Sequence, residues 1–119
     1  CDCYVSLAHS EGVGLGMLEA STIGNPVLTT KYGGQMEYLK NGYFVNYKLD
    51  FIKINYSFFN KMQFWAYPNY KHASQLLKYI YKNRFEAYNF GQDNKKYVIE
   101  NFNQFKIGHK FVNVLQDQL

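Results

Sequence analysis

The chain opens with apolar runs of strand length, separated by segments whose apolar residues recur at helical spacing. Tyr4 to Ala8 is apolar on both faces, as a buried parallel strand is. A helix is expected from about Leu15, carrying Leu15, Leu18 and Ile23 toward a sheet and ending at Gly24 in a left-handed conformation. Pro26 then introduces Val27-Leu28-Thr29-Thr30, a second strand that begins where a missing N–H costs least. A short helix over about Gln35 to Lys40, stopped by Asn41-Gly42, leads to a third strand, Tyr43-Phe44-Val45. Strands alternating with helices are the pattern of an open parallel α/β sheet.

From Lys48 to Phe64 no clean period survives, and a long connection with at most one helical turn is expected there. Pro68-Asn69 begins a helix in which Ala73, Leu76, Leu77 and Ile80 follow one-sided amphipathic spacing. A segment from Arg84 to Phe90 is expected to end at Gly91, and another runs from Asp93 to about Asn101. The last, from about Gln104, places Ile107, Phe111, Val114 and Leu115 on one face. The expected organisation is one domain: a strand and helix core over about 2–48, a connection over 49–64 and a helical region over 65–119.

The stretch from Ser10 to Ala20 carries the candidate chemistry. Glu11 and Glu19 bracket a turn with glycines at 12, 14 and 16, which let the backbone approach a ligand closely. The turn runs into a helix whose first N–H groups have no intrahelical acceptor and suit a diphosphate. From Leu15 to Glu19 the helix rises about 6 Å, so Glu19 falls beyond a phosphate bound at the helix start, where a ribose would present its hydroxyls. Glu11 would face the sugar. Ligands on open α/β sheets lie at the carboxyl ends of the strands, where both Glu11 and Gly33-Gly34 fall.

These residues resemble the glycosyltransferase group 1 (family 4) enzymes, whose signature is a Glu-x7-Glu stretch in the second Rossmann-like domain of a GT-B fold. The likeness continues in the strand Asp2 to Leu7, in Gly24-Asn25-Pro26-Val27-Leu28, in Gly33-Gly34 with Glu37, and more faintly in Trp65-Ala66-Tyr67-Pro68-Asn69. It is close over 2–45, thin over 46–64 and architectural beyond. The resemblance implies the α/β C-terminal domain of a retaining transferase that uses a nucleoside diphosphate sugar and no metal or other cofactor. It implies that Glu11 approaches the transferred sugar and Glu19 binds the ribose. The amides near Gly14, Leu15 and Gly16 would meet the diphosphate, and Gly33-Gly34 is either a flank of the donor sugar or a plain turn. At Gly16 relatives more often carry proline or another side chain, which suggests a looser helix start. Such enzymes also need an upstream basic pair and an N-terminal acceptor-binding domain, neither of which these residues contain. The chain alone is therefore expected to be inactive, with Cys1 read as a cut point. A non-catalytic Rossmann-like module for nucleotide binding or assembly is the alternative; donor base, sugar and acceptor stay open.

Composition narrows the classes further. With 119 residues, 47% of them hydrophobic, there is material for one modest core. Cys1 and Cys3 are too few and too close for a disulfide framework, and two ligands do not make a zinc site. Neither a spanning stretch nor a signal-like start is seen, so a cytoplasmic setting is expected. The net charge of +4 is uneven: residues 1–60 hold four lysines and five acids, residues 61–119 nine basic residues and four acids. A solvated helix surface explains this most simply, with contact to a membrane surface or to an acidic acceptor as the alternatives. Arginine is nearly absent and no RNA or DNA module appears, which argues against nucleic acid as a partner. His9 has no visible carboxylate or metal partner and is read as structural.

Overall fold

The computed structural model describes residues 1–54, 58, 59 and 61–117. Three parallel strands, β1 (Tyr4–Ser6), β2 (Val27–Thr30) and β3 (Tyr43–Val45), lie in that order in one sheet, with Tyr4 opposite Val27 and Leu28 opposite Tyr43. The central strand β2 is buried along its whole length. Helix α1 (Leu15–Ile23) connects β1 to β2, and a 3-10 turn (Gly34–Glu37) connects β2 to β3. The expected helix at 35–40 is thus a tighter and shorter element.

Each face of the sheet has its own core. Met17, Ala20, Val27, Tyr38, Leu39 and Val98 form one cluster. Leu28, Tyr43, Val45, Ala73, Ile80 and Ala87 form the other, against α2 (Tyr70–Lys82) and the first half of α3 (Arg84–Asn101). Asn69 starts α2 by accepting the His72 N–H at 3.0 Å, the side-chain cap that its position before the amphipathic run suggests. Helix α3, about 27 Å long, contributes Ala87 to one cluster and Val98 to the other, and so wraps the amino ends of the strands from face to face.

Gly91 explains why α3 does not break where a break was expected. It lies inside the helix, and a Cβ there would strike the backbone of Gly24, Asn25 and Pro26. This glycine permits a close crossing and caps nothing. In α1 the buried residues are Met17, Ala20 and Ser21, while Leu15 and Ile23 are exposed and Leu18 is half-buried. Apolar side chains surround this nine-residue helix, so periodicity could not single out its inward face; the Ser21 hydroxyl is accommodated there by donating to the Met17 carbonyl at 2.9 Å.

The expected connection at 49–64 is partly sheet. β4 (Tyr47–Phe51) and β5 (Phe64–Pro68) form an antiparallel pair with Tyr47 opposite Pro68 and Phe51 opposite Phe64, so the Trp65–Pro68 segment assigned to the helical region is a strand. The pair rests on the loop after β1: the Ala66 N–H donates to the His9 carbonyl at 2.9 Å, and the His9 ring meets Trp65 and Tyr67 at 5.1 and 4.8 Å. The last helix, α4 (Gln104–Gln116), forms where its spacing placed it, yet none of its residues is buried, Ile107, Phe111, Val114 and Leu115 included.

Candidate active site

Two glycine-bearing loops meet at the carboxyl ends of β1 and β2. The first runs from Leu7 into α1. Within it Gly14 is the N-cap residue at φ 74° and ψ 59°, a left-handed conformation that glycine adopts without a Cβ penalty. The Glu11 carboxylate accepts the Gly14 N–H at 3.1 Å, so a negative charge rests at the positive end of the α1 dipole. In the second loop Gly33 takes φ 114° and ψ −178°, a region reserved almost wholly for glycine. The Gly34 N–H donates to the Glu11 carbonyl at 2.9 Å, and a Cβ on Gly34 would overlap the Gly12 carbonyl. Sequence spacing put these loops at the same end of a sheet; the fold brings their main chains into contact.

The remaining candidates divide by exposure. Leu15 and Gly16 are the first two residues of α1, where amides have no helical acceptor, while the Gly14 amide already belongs to Glu11. Glu19 is exposed and lies one turn beyond Leu15 on the same face. Gly16 makes room for Tyr4, whose hydroxyl a Cβ would strike; it reflects α1 packing on β1 and not a loose helix start, since the helix is regular from Leu15. Glu37 is exposed at the end of the 3-10 turn.

Two residues that sequence reasoning passed over shape the site. Gln35, fully buried, donates through Nε2 to the Thr30 and Tyr32 carbonyls at 3.2 and 2.7 Å and so holds the loop leading to Gly33. Tyr38, only 3% exposed, places its hydroxyl 2.8 Å from the Val13 carbonyl and 2.9 Å from that of Gly14. Burial first, then the Glu11 charge and Tyr4, pushes the Tyr38 phenol up to about 12, so it stays a proton donor at any working pH. The available signal was slight: an amide inside the Gly-Gly-x-x-Glu element and a phenol directly after it.

A cavity of about 440 Å³ lies elsewhere, at the amino ends of β1 and β2, bordered by Cys3, Pro26, Ile80, Arg84 and Gln92. None of the candidate site residues Glu11, Gly14, Leu15, Gly16, Glu19, Gly33 and Gly34 lines it, and open α/β sheets bind ligands at the opposite end. Among the described residues no helix is long and apolar enough to cross a membrane.

The parallel sheet flanked by helices, with a glycine turn feeding a helix at its carboxyl end, defines a Rossmann-like α/β domain. The chain belongs to the glycosyl transferases group 1 family, whose model matches residues 1–97. It is also similar to a sucrose synthase of Melioribacter roseus, 54% identical over 39 residues. That stretch covers 33% of this chain and 5% of the relative, so the chain spans a small part of the length of the relative it matches. No solved structure matches it.

Proposed function

We propose that this chain forms the donor-binding part of a GT-B, family 4 glycosyltransferase, which moves a sugar from a nucleoside diphosphate to an acceptor hydroxyl with retention. The observation that carries the reading is the clasp between the two glycine loops. It gathers a carboxylate, a helix start with open amides and a second glycine loop at one end of the sheet. In this reading the Leu15 and Gly16 amides receive the diphosphate, assisted by the positive end of α1. Glu19, about 6 Å further along α1, accepts from ribose hydroxyls. Glu11 faces the sugar, where its charge opposes the positive charge that grows at the ring carbon as the bond to the diphosphate breaks. Gly33-Gly34 flanks the sugar. Cations for the leaving diphosphate and the acceptor-binding surface come from the rest of the protein, in the cytoplasm.

Replacing Glu19 tests the assignment of the nucleotide. In the whole protein Glu19→Ala is expected to raise the donor KM about ten- to a hundredfold and to leave kcat within about twofold, because a hydrogen bond to a charged group distant from the reacting atoms contributes about 1.5–3 kcal/mol to binding in ground and transition states alike. Steady-state kinetics with the donor varied reads the split. A fall in kcat with KM unmoved would remove Glu19 from the nucleotide, and nucleotide binding by the unaltered protein without any transfer would favour a non-catalytic module.

A further inference from the structure

We propose that Tyr38 is a positioning residue for the nucleotide: its hydroxyl holds the Val13–Gly14 peptide group so that the Gly14 amide meets Glu11 and α1 starts with the Leu15 amide open to the ligand. This rests on the reading proposed above for the α1 start.

The argument follows from peptide geometry. A trans peptide is planar, so its C=O and N–H point in opposite directions. The Val13 carbonyl is directed at the Tyr38 hydroxyl, at 2.8 Å. The N–H of the same peptide plane is that of Gly14, and it points the other way, to Glu11 Oε1 at 3.1 Å. In the next plane the Gly14 carbonyl, 2.9 Å from the Tyr38 hydroxyl, is held by the Met17 and Leu18 amides at 2.9 and 3.0 Å, and the Leu15 N–H points the other way, on a residue that is 68% exposed. With that carbonyl taken by two helix amides, the one phenol proton of Tyr38 goes to Val13. Glycine at 14 leaves the Val13–Gly14 plane free to rotate, so an anchor from outside the turn is what selects this arrangement.

Filling the core would not require the hydroxyl. The Tyr38 ring packs with Met17 and Val98 and meets Phe102 edge-on at 6.1 Å, contacts a phenylalanine would keep. The bond to the Val13 carbonyl is what the oxygen adds. Its link to the site is also electrostatic, since the Glu11 charge acts on the phenol.

Tyr38→Phe in the whole protein separates these roles. Two readouts are taken: amide hydrogen exchange without ligand, and titration with UDP, ADP and GDP, using whichever the unaltered protein binds most tightly. The expected result is exchange at Gly14 about tenfold faster, with the Leu28 and Thr29 amides of the central strand unchanged, and affinity for the diphosphate about tenfold weaker. Unchanged affinity overturns the proposal, as does unchanged exchange at Gly14. Faster exchange throughout the central strand overturns it too, because the hydroxyl then serves the fold as a whole. If the unaltered protein binds none of the three diphosphates, the proposed function falls and takes this role with it. That failure is distinguishable, since it appears before any substitution is made.

Discussion

Glutamine in place of Glu11 is expected to lower kcat of the whole protein about a hundredfold or more while leaving the donor KM within about threefold, as befits a group whose charge matters chiefly in the transition state. The structure makes glutamine the informative choice. The Glu11 carboxylate has a local role, accepting the Gly14 N–H at 3.1 Å, and its backbone carbonyl holds Gly34 at 2.9 Å. A glutamine amide oxygen can still accept from Gly14, so the turn persists and only the negative charge disappears. Glu11→Ala would remove both, and the lost acceptor at a helix start would add about 1 kcal/mol of destabilisation to any catalytic loss. Steady-state kinetics with thermal unfolding as a control separates the two effects. A glutamine variant that turns over normally would reduce Glu11 to a cap, which is the plain role the geometry already grants it.

Alanine at Gly34 should be the most damaging small substitution in the site. Its Cβ would enter space held by the Gly12 carbonyl, and the atoms in the way are main chain on both sides. Neither loop can yield by a rotamer change, because the Gly34 N–H is bonded to the Glu11 carbonyl and Gly33 is fixed in a glycine-only conformation. Overpacking that a side chain can absorb costs about 1–3 kcal/mol; here a loss at or above about 3 kcal/mol is expected, since backbone must move. The clasp would open, so affinity for a nucleoside diphosphate should fall together with the urea midpoint. Gly12→Ala is the matched control, because nothing lies within 4 Å of a Cβ there. Equal stability of the two variants would show that the loops do not touch in solution.

Local sequence made a good part of this legible. Strands at Val27–Thr30 and Tyr43–Val45 appear where short β-branched and aromatic runs follow a proline or an Asn-Gly pair, and α1 ends at Gly24, which is left-handed at φ 86°. The glycine turn between Glu11 and Glu19 was readable because its chemistry is contained in adjacent residues. The β4–β5 pair was not: Tyr47-Lys48-Leu49-Asp50-Phe51 alternates over five residues only, and its partner lies beyond residues 52–63. Gly91 misled for a related reason. A glycine in a helical run signals a cap unless another backbone crosses it, and the crossing segment, Gly24 to Pro26, is far away in sequence.

The amino-acid sequence by itself determined which residues could bend, begin a helix or carry charge at the candidate site, because those properties belong to single residues and to neighbours along the chain. Only the tertiary structure decided that Gly34 lies against Gly12, that Tyr38 reaches the carbonyls of Val13 and Gly14, and that the Gly14 amide faces Glu11. Those contacts join segments separated along the chain, or turn on peptide orientations that glycine leaves open. They are selected by burial and close packing on the two faces of the sheet, which no local pattern records.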